Sequence, residues 1–229
     1  MNPHILEDLD NVVFIALTKQ IEGKSLLSIR GTGILLKDLK LITCAHIYDE
    51  IPEIERSNIF AGIIEKSNRK LKKYNFFPIK PHKRNGERDI EIFNVEDKEM
   101  KLSSYGIEKD KLMDVAELES LIPSQDLYYP GFPLANELLN MNMGVTLIVN
   151  QCSLGSIKYR TKDETIDFIL IDRQVNPGSS GSPVYFNGKI MGLASGTLNQ
   201  THAVGGNVIN VPLGLGIIRT SNYILELLT

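Results

Sequence analysis

The chain has 229 residues, a formal net charge of −3 at pH 7, and 42% hydrophobic and 23% charged residues. This balance is typical of a globular protein, excludes a disordered chain and gives no basic excess for nucleic acid. The longest apolar runs fall far short of the roughly 20 residues of a membrane helix, and acidic residues near the N-terminus argue against a signal peptide. Two cysteines cannot form a disulfide framework. We therefore expect a cytoplasmic protein without membrane or nucleic-acid partners.

Short β-like runs rich in Val, Ile, Leu, Phe and Tyr recur along the chain between turn residues. The first set is Val12–Thr18, Ser25–Ile29, Gly33–Lys37, Lys40–Thr43, Ile59–Glu65, Tyr74–Lys80 and Ile90–Val95. The second set is Asp126–Tyr129, Val145–Gln151, Ser156–Arg160, Phe168–Ile171, Pro183–Phe186, Lys189–Ala194 and Val208–Val211. Many short strands with frequent turns favour barrels or sandwiches over a βαβ sheet. We predict a mostly β protein of two small barrels.

A helical pattern separates the two sets of strands. Across Ile107–Ile122, apolar residues recur at steps of three and four until Pro123, which predicts a helical linker. Ser221 is placed to cap a closing helix over residues 221–228. The predicted organisation is an N-terminal barrel at 1–100, a helical linker at 101–125, and a C-terminal barrel with its closing helix at 126–229.

The segment Asn176–Phe186 carries the strongest chemical signal. Ser180 lies among glycines and serines in a tight turn, immediately before an apolar strand. Acyl transfer needs a protruding nucleophile beside backbone N–H groups that face the developing oxyanion. The same composition also occurs in ordinary hairpin turns, so the segment alone leaves both interpretations open.

Two further segments supply partners for such a serine. His46 follows the apolar strand Lys40–Thr43 and is a candidate general base, although a lone histidine there could equally be a buried structural residue. Asp89 stands at the head of the strand Ile90–Val95, where a carboxylate could orient an imidazole through its other ring nitrogen.

The order His46, Asp89, Ser180 resembles that of the chymotrypsin-fold serine proteases, most closely the bacterial intracellular and HtrA-like trypsin-like peptidases. The matching blocks are Gly31–Leu36, Thr43–His46, Asp89–Phe93, Gly131–Pro133, Gly178–Pro183 and Gly192–Ser195. The resemblance runs from the first predicted strand to the end of the chain. It implies two six-stranded antiparallel β-barrels, and we expect no PDZ domain after the second.

The resemblance also implies the catalytic roles. Ser180 would be the nucleophile, His46 the general base and then acid, and Asp89 the group that fixes the imidazole tautomer. The N–H groups of Gly178 and Ser180 would form the oxyanion hole. No metal or other cofactor is implied.

The substrate would be a protein or peptide. In proteases of this type its backbone pairs with a strand edge, here Ser195, Gly196 and Thr197. Gln174 would lie at the base of the primary specificity pocket. Without an aspartate there, cleavage after a neutral or small side chain is favoured over cleavage after Lys or Arg.

Several alternatives accompany this interpretation. Asp114, in Asp114-Val115-Ala116-Glu117-Leu118, fits the family's Asp-x-Ala-x-Leu pattern better than Asp89. However, it lies inside the helical pattern and leaves too short a crossing before Gly131. Cys44 and His46 could chelate zinc with Cys152, but a fourth ligand is not evident. His4, His82 and His202 lack ligand spacing.

The basic run at Lys66, Arg69, Lys70, Lys72 and Lys73 fits a solvated hairpin. Ser179 stands where zymogen relatives carry an aspartate that pairs with a new N-terminus, so we expect no activation by N-terminal cleavage. An activating protein partner is a possible route of control. The leading hypothesis is a serine endopeptidase. The alternatives are a catalytically silent protease-fold binding or regulatory module, and an esterase.

Overall fold

The structure is a computed structural model that describes residues 6, 8–21, 24–65, 73–204 and 207–229. Within these residues the chain is mostly β and forms two closed six-stranded antiparallel barrels. This confirms the predicted fold class. His4 and four residues of the basic run, Lys66, Arg69, Lys70 and Lys72, lie outside the described residues.

The first barrel has the strand order β1-β2-β3-β6-β5-β4. Its strands are β1 (Val12–Ile21), β2 (Lys24–Leu35), β3 (Lys40–Thr43), β4 (Ile59–Ile64), β5 (Tyr74–Asn85) and β6 (Ile90–Val95). The predicted runs Ser25–Ile29 and Gly33–Lys37 form one strand, β2. Its pairing with β1 continues past a register shift between Ile15 and Ala16, so the glycine-rich segment bends the strand without ending it.

The second barrel has the strand order β10-β11-β12-β9-β8-β7. Its strands are β7 (Asp126–Gly131), β8 (Ile148–Tyr159), β9 (Ile166–Ile171), β10 (Ser182–Phe186), β11 (Lys189–Val204) and β12 (Asn207–Thr220). The predicted runs around residues 145–160 merge into β8, again across a register shift, between Leu154 and Ser156. Strands β11 and β12 extend well beyond their predicted ends as a long antiparallel pair.

The helices are short and lie between or after the strands. They are α1 (Ala45–Asp49), α2 (Val115–Glu119), α3 (Ala135–Asn140) and α4 (Ser221–Leu228), with 3₁₀ turns at Leu9–Asn11, Glu53–Asn58 and Lys109–Lys111. None of the described helices is long and apolar enough to cross a membrane.

The linker contains much less helix than its periodicity predicted. Only α2 is α-helical, because Ile107 and Leu112 instead form isolated parallel bridges with Leu36 and Ile190. Both apolar residues are buried in the larger hydrophobic core, which includes residues of both barrels. Backbone pairing with distant strands therefore outweighs the local helical pattern.

The predicted closing helix is present as α4, but Ser221 is not its N-cap. Its N-cap is Thr220, which makes no side-chain cap, whereas Ser221 Oγ donates to the Met113 carbonyl at 2.6 Å. Tyr223 Oη donates to the Ile166 carbonyl at 2.6 Å, and the Arg88 guanidinium lies 4.3 Å from the centre of its ring. The helix thus connects the second barrel to the turn that precedes Asp89.

Candidate active site

His46 lies at the junction of β3 and α1, next to the buried residues Thr43 and Cys44. Thr43 Oγ1 donates to the Thr32 carbonyl at 2.6 Å, which ties the end of β3 to β2. The His46 side chain retains 34% of its exposure, so solvent reaches the ring. The apolar strand β3 thus leads into a buried junction from which the His46 imidazole reaches solvent.

Asp89 approaches His46 from the head of β6. It adopts a left-handed backbone conformation (φ 55°), which Asp tolerates better than most residues, and its N–H donates to Gly86 at 3.2 Å. His46 Nδ1 lies 2.8 Å from Asp89 Oδ2, and the His46 backbone N–H donates to Asp89 Oδ1 at 2.8 Å. The two residues that the sequence proposed as a pair are therefore in direct contact.

A third group completes the surroundings of Asp89. Ser195 Oγ of β11 donates to Asp89 Oδ2 at 2.5 Å, from the opposite barrel. The sequence had suggested Ser195 only as a substrate-binding residue. A hydroxyl whose partner lies in another barrel gives no local sequence signal.

The electrostatics of this pair favour an ionised carboxylate and a readily protonated imidazole. Burial alone would raise the pKa of Asp89, but the hydrogen bonds from His46 and Ser195 outweigh burial, so the pKa of Asp89 lies below its ordinary value. Burial alone would lower the pKa of His46, but the hydrogen bond and the charge of Asp89 outweigh burial, so the pKa of His46 lies above its ordinary value. Asp89 thus stabilises the imidazolium that a general base becomes after accepting a proton.

Ser180 lies in a double turn between β9 and β10. In the first turn Ser179 N–H donates to the Asn176 carbonyl at 2.9 Å, with Pro177 second and Gly178, at φ +87°, third. Proline then glycine with positive φ is the signature of a type II turn. A side chain on Gly178 would also collide with the Phe132 carbonyl, so glycine is required on two counts.

The turn leaves two backbone N–H groups without an acceptor. Among the hydrogen bonds between described residues, none uses the N–H of Gly178 or Ser180 as donor. Their carbonyls are both engaged by Thr32, whose N–H donates to Ser180 at 2.8 Å and whose Oγ1 donates to Gly178 at 2.7 Å. The first barrel therefore fixes the turn while the two predicted oxyanion donors stay available.

The Ser180 hydroxyl does not engage His46. Its Oγ donates to the Ser195 carbonyl at 3.0 Å, and no hydrogen bond between described residues joins it to the imidazole. In enzymes without substrate, catalytic hydrogen bonds are often long or misaligned. Attack on a substrate would need this side chain to rotate away from Ser195.

The expected substrate-binding residues lie around the same turn. Gln174 is exposed, and its carbonyl accepts from Tyr129 Oη at 3.2 Å. A side chain added to Gly196 would meet no heavy atom within 4 Å, so this part of β11 borders open space. Thr197 Oγ1 accepts from the Val175 N–H at 3.1 Å and donates to the Val175 carbonyl at 3.0 Å.

The rival aspartate has a structural role elsewhere. Asp114 is the N-cap of α2, where its side chain accepts from the Glu117 N–H at 2.9 Å and the Glu117 carboxylate accepts from the Asp114 N–H at 3.0 Å. This reciprocal capping box explains its place before a helix-forming run. Among described residues, it is Asp89 and not Asp114 that contacts His46.

The proposed zinc ligand set is only partly brought together. Cys152 and Cys44 lie in two separate hydrophobic cores, and both are free thiols. The ligand atoms of Cys44, His46 and Asp89 lie within 4.8 Å of one another. Cys152 is not part of this group. The described histidines His82 and His202 are both exposed and outside it.

Comparison with known proteins points to one family. Residues 31–193 match the trypsin-like peptidase domain. A mitochondrial protein described as protease Do-like 3 of Arabidopsis thaliana is 31% identical over 111 residues. That match covers 47% of this chain and 19% of the relative, so the chain spans about a fifth of that protein.

Solved structures share the fold at low identity. The MamO protease domain of Magnetospirillum magneticum aligns over 96% of both chains with a TM-score of 0.60 and 14% identity. The Rv3671c protease of M. tuberculosis, in its active form, aligns over 99% of this chain and 83% of its own at TM-score 0.61 and 17% identity. The HtrA-type protease AlgW with a decapeptide aligns over 97% and 64% at TM-score 0.64 and 14% identity. The family match covers most of the chain, and the chain belongs to the trypsin-like peptidase domain family of serine proteases.

Proposed function

We propose that this chain is a serine endopeptidase that cleaves a protein substrate through an acyl-enzyme on Ser180. The supporting observation is the convergence of the Asp89–His46 pair and the Ser180 turn with its two free N–H donors. His46 Nε2 would take the Ser180 proton as Oγ attacks the scissile carbonyl. The same proton would pass to the leaving amine, and water would then release the acyl group by the reverse route.

Each remaining residue has a defined task in this scheme. Gly178 and Ser180 would donate to the oxyanion, which in comparable sites is worth about 2.7–4 kcal/mol per donor. Asp89 would hold His46 Nδ1 protonated, so that Nε2 is the basic nitrogen. Ser195 would restrain the Asp89 carboxylate in that orientation by its 2.5 Å hydrogen bond.

Substrate selection would depend on Thr197 and Gln174. The Thr197 hydroxyl binds both backbone groups of Val175, one residue after Gln174, and so closes the space between these two segments. A large side chain before the cleaved bond would have to displace this bridge. We therefore propose a small, neutral residue at that position, held while the substrate backbone pairs with residues 195–197.

The working environment and control of the enzyme are also proposals. Both cysteines are free and buried, which suits a reducing compartment such as the cytoplasm. The Ser180 hydroxyl is bound to the Ser195 carbonyl, so a protein partner or the substrate itself could activate the enzyme by reorienting it.

The same hydrogen bond favours a second candidate function, a silent protease-fold module that binds peptides without cleaving them. Hydrolysis of a denatured protein and of a peptide library by purified wild type, Ser180→Ala and His46→Ala distinguishes the two. If the chain is an endopeptidase, we expect turnover in the wild type and a rate of hydrolysis lower by several orders of magnitude in both variants. Ser179→Ala, which removes a neighbouring buried hydroxyl, is the matched control and should retain turnover. Peptide binding by wild type without cleavage would favour the silent module.

A further inference from the structure

A thiol lies beside the Asp89–His46 pair and has no part in the proposed mechanism. Cys44 is fully buried between β3 and α1, two residues before His46. Its Sγ contacts the Ala194 carbonyl at 3.5 Å, a weak partner for a sulfur donor. One sulfur, one imidazole nitrogen and one carboxylate oxygen thus converge within 4.8 Å.

This donor set matches the chemistry of thiophilic divalent cations. Zinc binds Cys sulfur at about 2.3 Å, His nitrogen at about 2.0–2.1 Å and carboxylate oxygen at about 2.0–2.2 Å, usually as a tetrahedron. Such a tetrahedron separates its ligand atoms by about 3.3–3.6 Å. The 4.8 Å limit is close enough for small side-chain movements to bring all three atoms onto one ion.

The three donors are held by two segments of the chain. Cys44 and His46 lie on either side of Ala45 at the β3–α1 junction. Asp89 is anchored to this junction by two hydrogen bonds: its side chain accepts from the His46 N–H, and its carbonyl accepts from the Ala45 N–H at 3.2 Å. The thiol is fully buried, whereas the His46 side chain keeps 34% of its exposure, so an ion would have to enter past the His46 ring. The backbone contacts hold the three donors close together before any ion binds.

We propose that Cys44, His46 and Asp89 form an inhibitory site for a thiophilic divalent cation, Zn²⁺ or Cd²⁺, with water as the fourth ligand. Binding releases the Cys44 thiol proton to solvent and shifts the imidazole proton of His46 from Nδ1 to Nε2, so that a neutral imidazole binds the ion through Nδ1, with no change of oxidation state. The ion takes the place of the Nδ1–H···Asp89 hydrogen bond, so the imidazole loses the orientation that a general base needs. That the site binds the ion is inferred from the geometry alone, and that binding inhibits the enzyme rests on the proposed endopeptidase function.

Binding is tested without turnover, by titrating Cd²⁺ into folded protein and following thiolate-to-metal charge-transfer absorption. The proteins compared are Ser180→Ala, Ser180→Ala/Cys44→Ser and Ser180→Ala/Cys152→Ser. The expected result is one bound ion per chain, an absorption band lost with Cys44→Ser and a band retained with Cys152→Ser. Cys44→Ala serves as a second variant if serine at this buried position prevents folding. A band that survives both Cys44 changes, or no band in the Ser180→Ala protein, overturns the proposal.

Inhibition is then measured as the Zn²⁺ concentration that halves peptide hydrolysis. We expect it to rise at least about tenfold in Cys44→Ser and to remain unchanged in Cys152→Ser. Equal inhibition of wild type, Cys44→Ser and Cys152→Ser by Zn²⁺ would show that this site does not inhibit the enzyme. An absence of hydrolysis in metal-free wild type contradicts the proposed function, while the absorption titration still decides the metal site.

Discussion

Thr32 Oγ1 donates a 2.7 Å hydrogen bond to the carbonyl of Gly178, across the junction of the two barrels. The same oxygen accepts from the Phe132 N–H at 3.1 Å, and the Thr32 backbone binds Ser180. One buried residue of the first barrel therefore connects the nucleophile turn to the start of the second barrel. We infer that Thr32 is a positioning residue for the oxyanion hole.

Replacing the Thr32 hydroxyl should slow catalysis. Thr32→Val keeps the branched shape but leaves the Gly178 carbonyl without its donor, so we expect kcat to fall about 10–100-fold with KM little changed. Thr32→Ser retains the hydroxyl and should restore most of the rate. Similar kcat values for the Val and Ser variants would show that the hydroxyl does not position the turn.

The two candidate aspartates should behave differently. Asp89→Asn leaves the fold intact but stabilises the wrong His46 tautomer, so turnover should fall about 10⁴-fold. Asp114→Asn keeps an acceptor at the N-cap of α2 and should change the free energy of unfolding by about 0.5 kcal/mol or less, with normal turnover. Steady-state kinetics and urea unfolding of both variants check this. The reverse pattern would remove Asp89 from the mechanism.

Glu91 should make stability depend on pH. Its side chain is almost fully buried on β6, with Arg84 Nε 3.7 Å from Oε2, and burial raises its pKa from 4.5 to about 7. Below pH 4.5 the carboxyl is neutral in both folded and unfolded states. As pH rises to 7 the unfolded state ionises first, so the native state loses stability relative to a variant without this acid.

Glu91→Gln should therefore become more stable relative to wild type as pH rises. We expect its advantage to grow by about 1–3 kcal/mol between acidic and mildly alkaline pH. Urea unfolding at several pH values measures it, with Glu119→Gln, at an exposed position, as the matched control. A stability difference for Glu91→Gln that is constant with pH would contradict the assignment.

Thr197 should limit the side chain accepted before the cleaved bond. Thr197→Gly removes the bridge to Val175, so kcat/KM for peptides with Phe there should rise relative to Ala by about tenfold or more. Thr197→Val removes the bridge but keeps the volume of the side chain, so it should raise the Phe/Ala ratio less than Thr197→Gly does. Matched peptide substrates provide the measurement, and an unchanged Phe/Ala ratio in Thr197→Gly would place the selective contact elsewhere.

The sequence predicts those features that local patterns determine. The strands Lys40–Thr43 and Ile90–Val95 have the predicted bounds, because each is a short buried run between turn residues. The strand bounds need no knowledge of which distant segments meet. The contact of His46 with Asp89 was expected from the family resemblance, because neither residue alone carries a local pattern that predicts it.

Other features depend on contacts between distant segments, and sequence patterns do not encode them. The linker helix was overpredicted because Ile107 and Leu112 pair with Leu36 and Ile190. The hydrogen bond from Ser195 to Asp89 and the contact of Thr32 with Gly178 cross between barrels. Their residue types are common, so only the assembled fold distinguishes them from ordinary strand residues.

In the proposed mechanism Ser180 is an activated nucleophile, and a fluorophosphonate probe followed by intact mass and peptide mapping tests for that activation. We expect a single adduct on Ser180 in folded wild type and in Ser179→Ala, and none in Ser180→Ala. Heat-unfolded wild type should not react, because the adduct requires His46 and the oxyanion donors in place. An adduct of equal yield in Ser180→Ala, or unmodified Ser180 in folded wild type, would show that Ser180 is not an activated nucleophile.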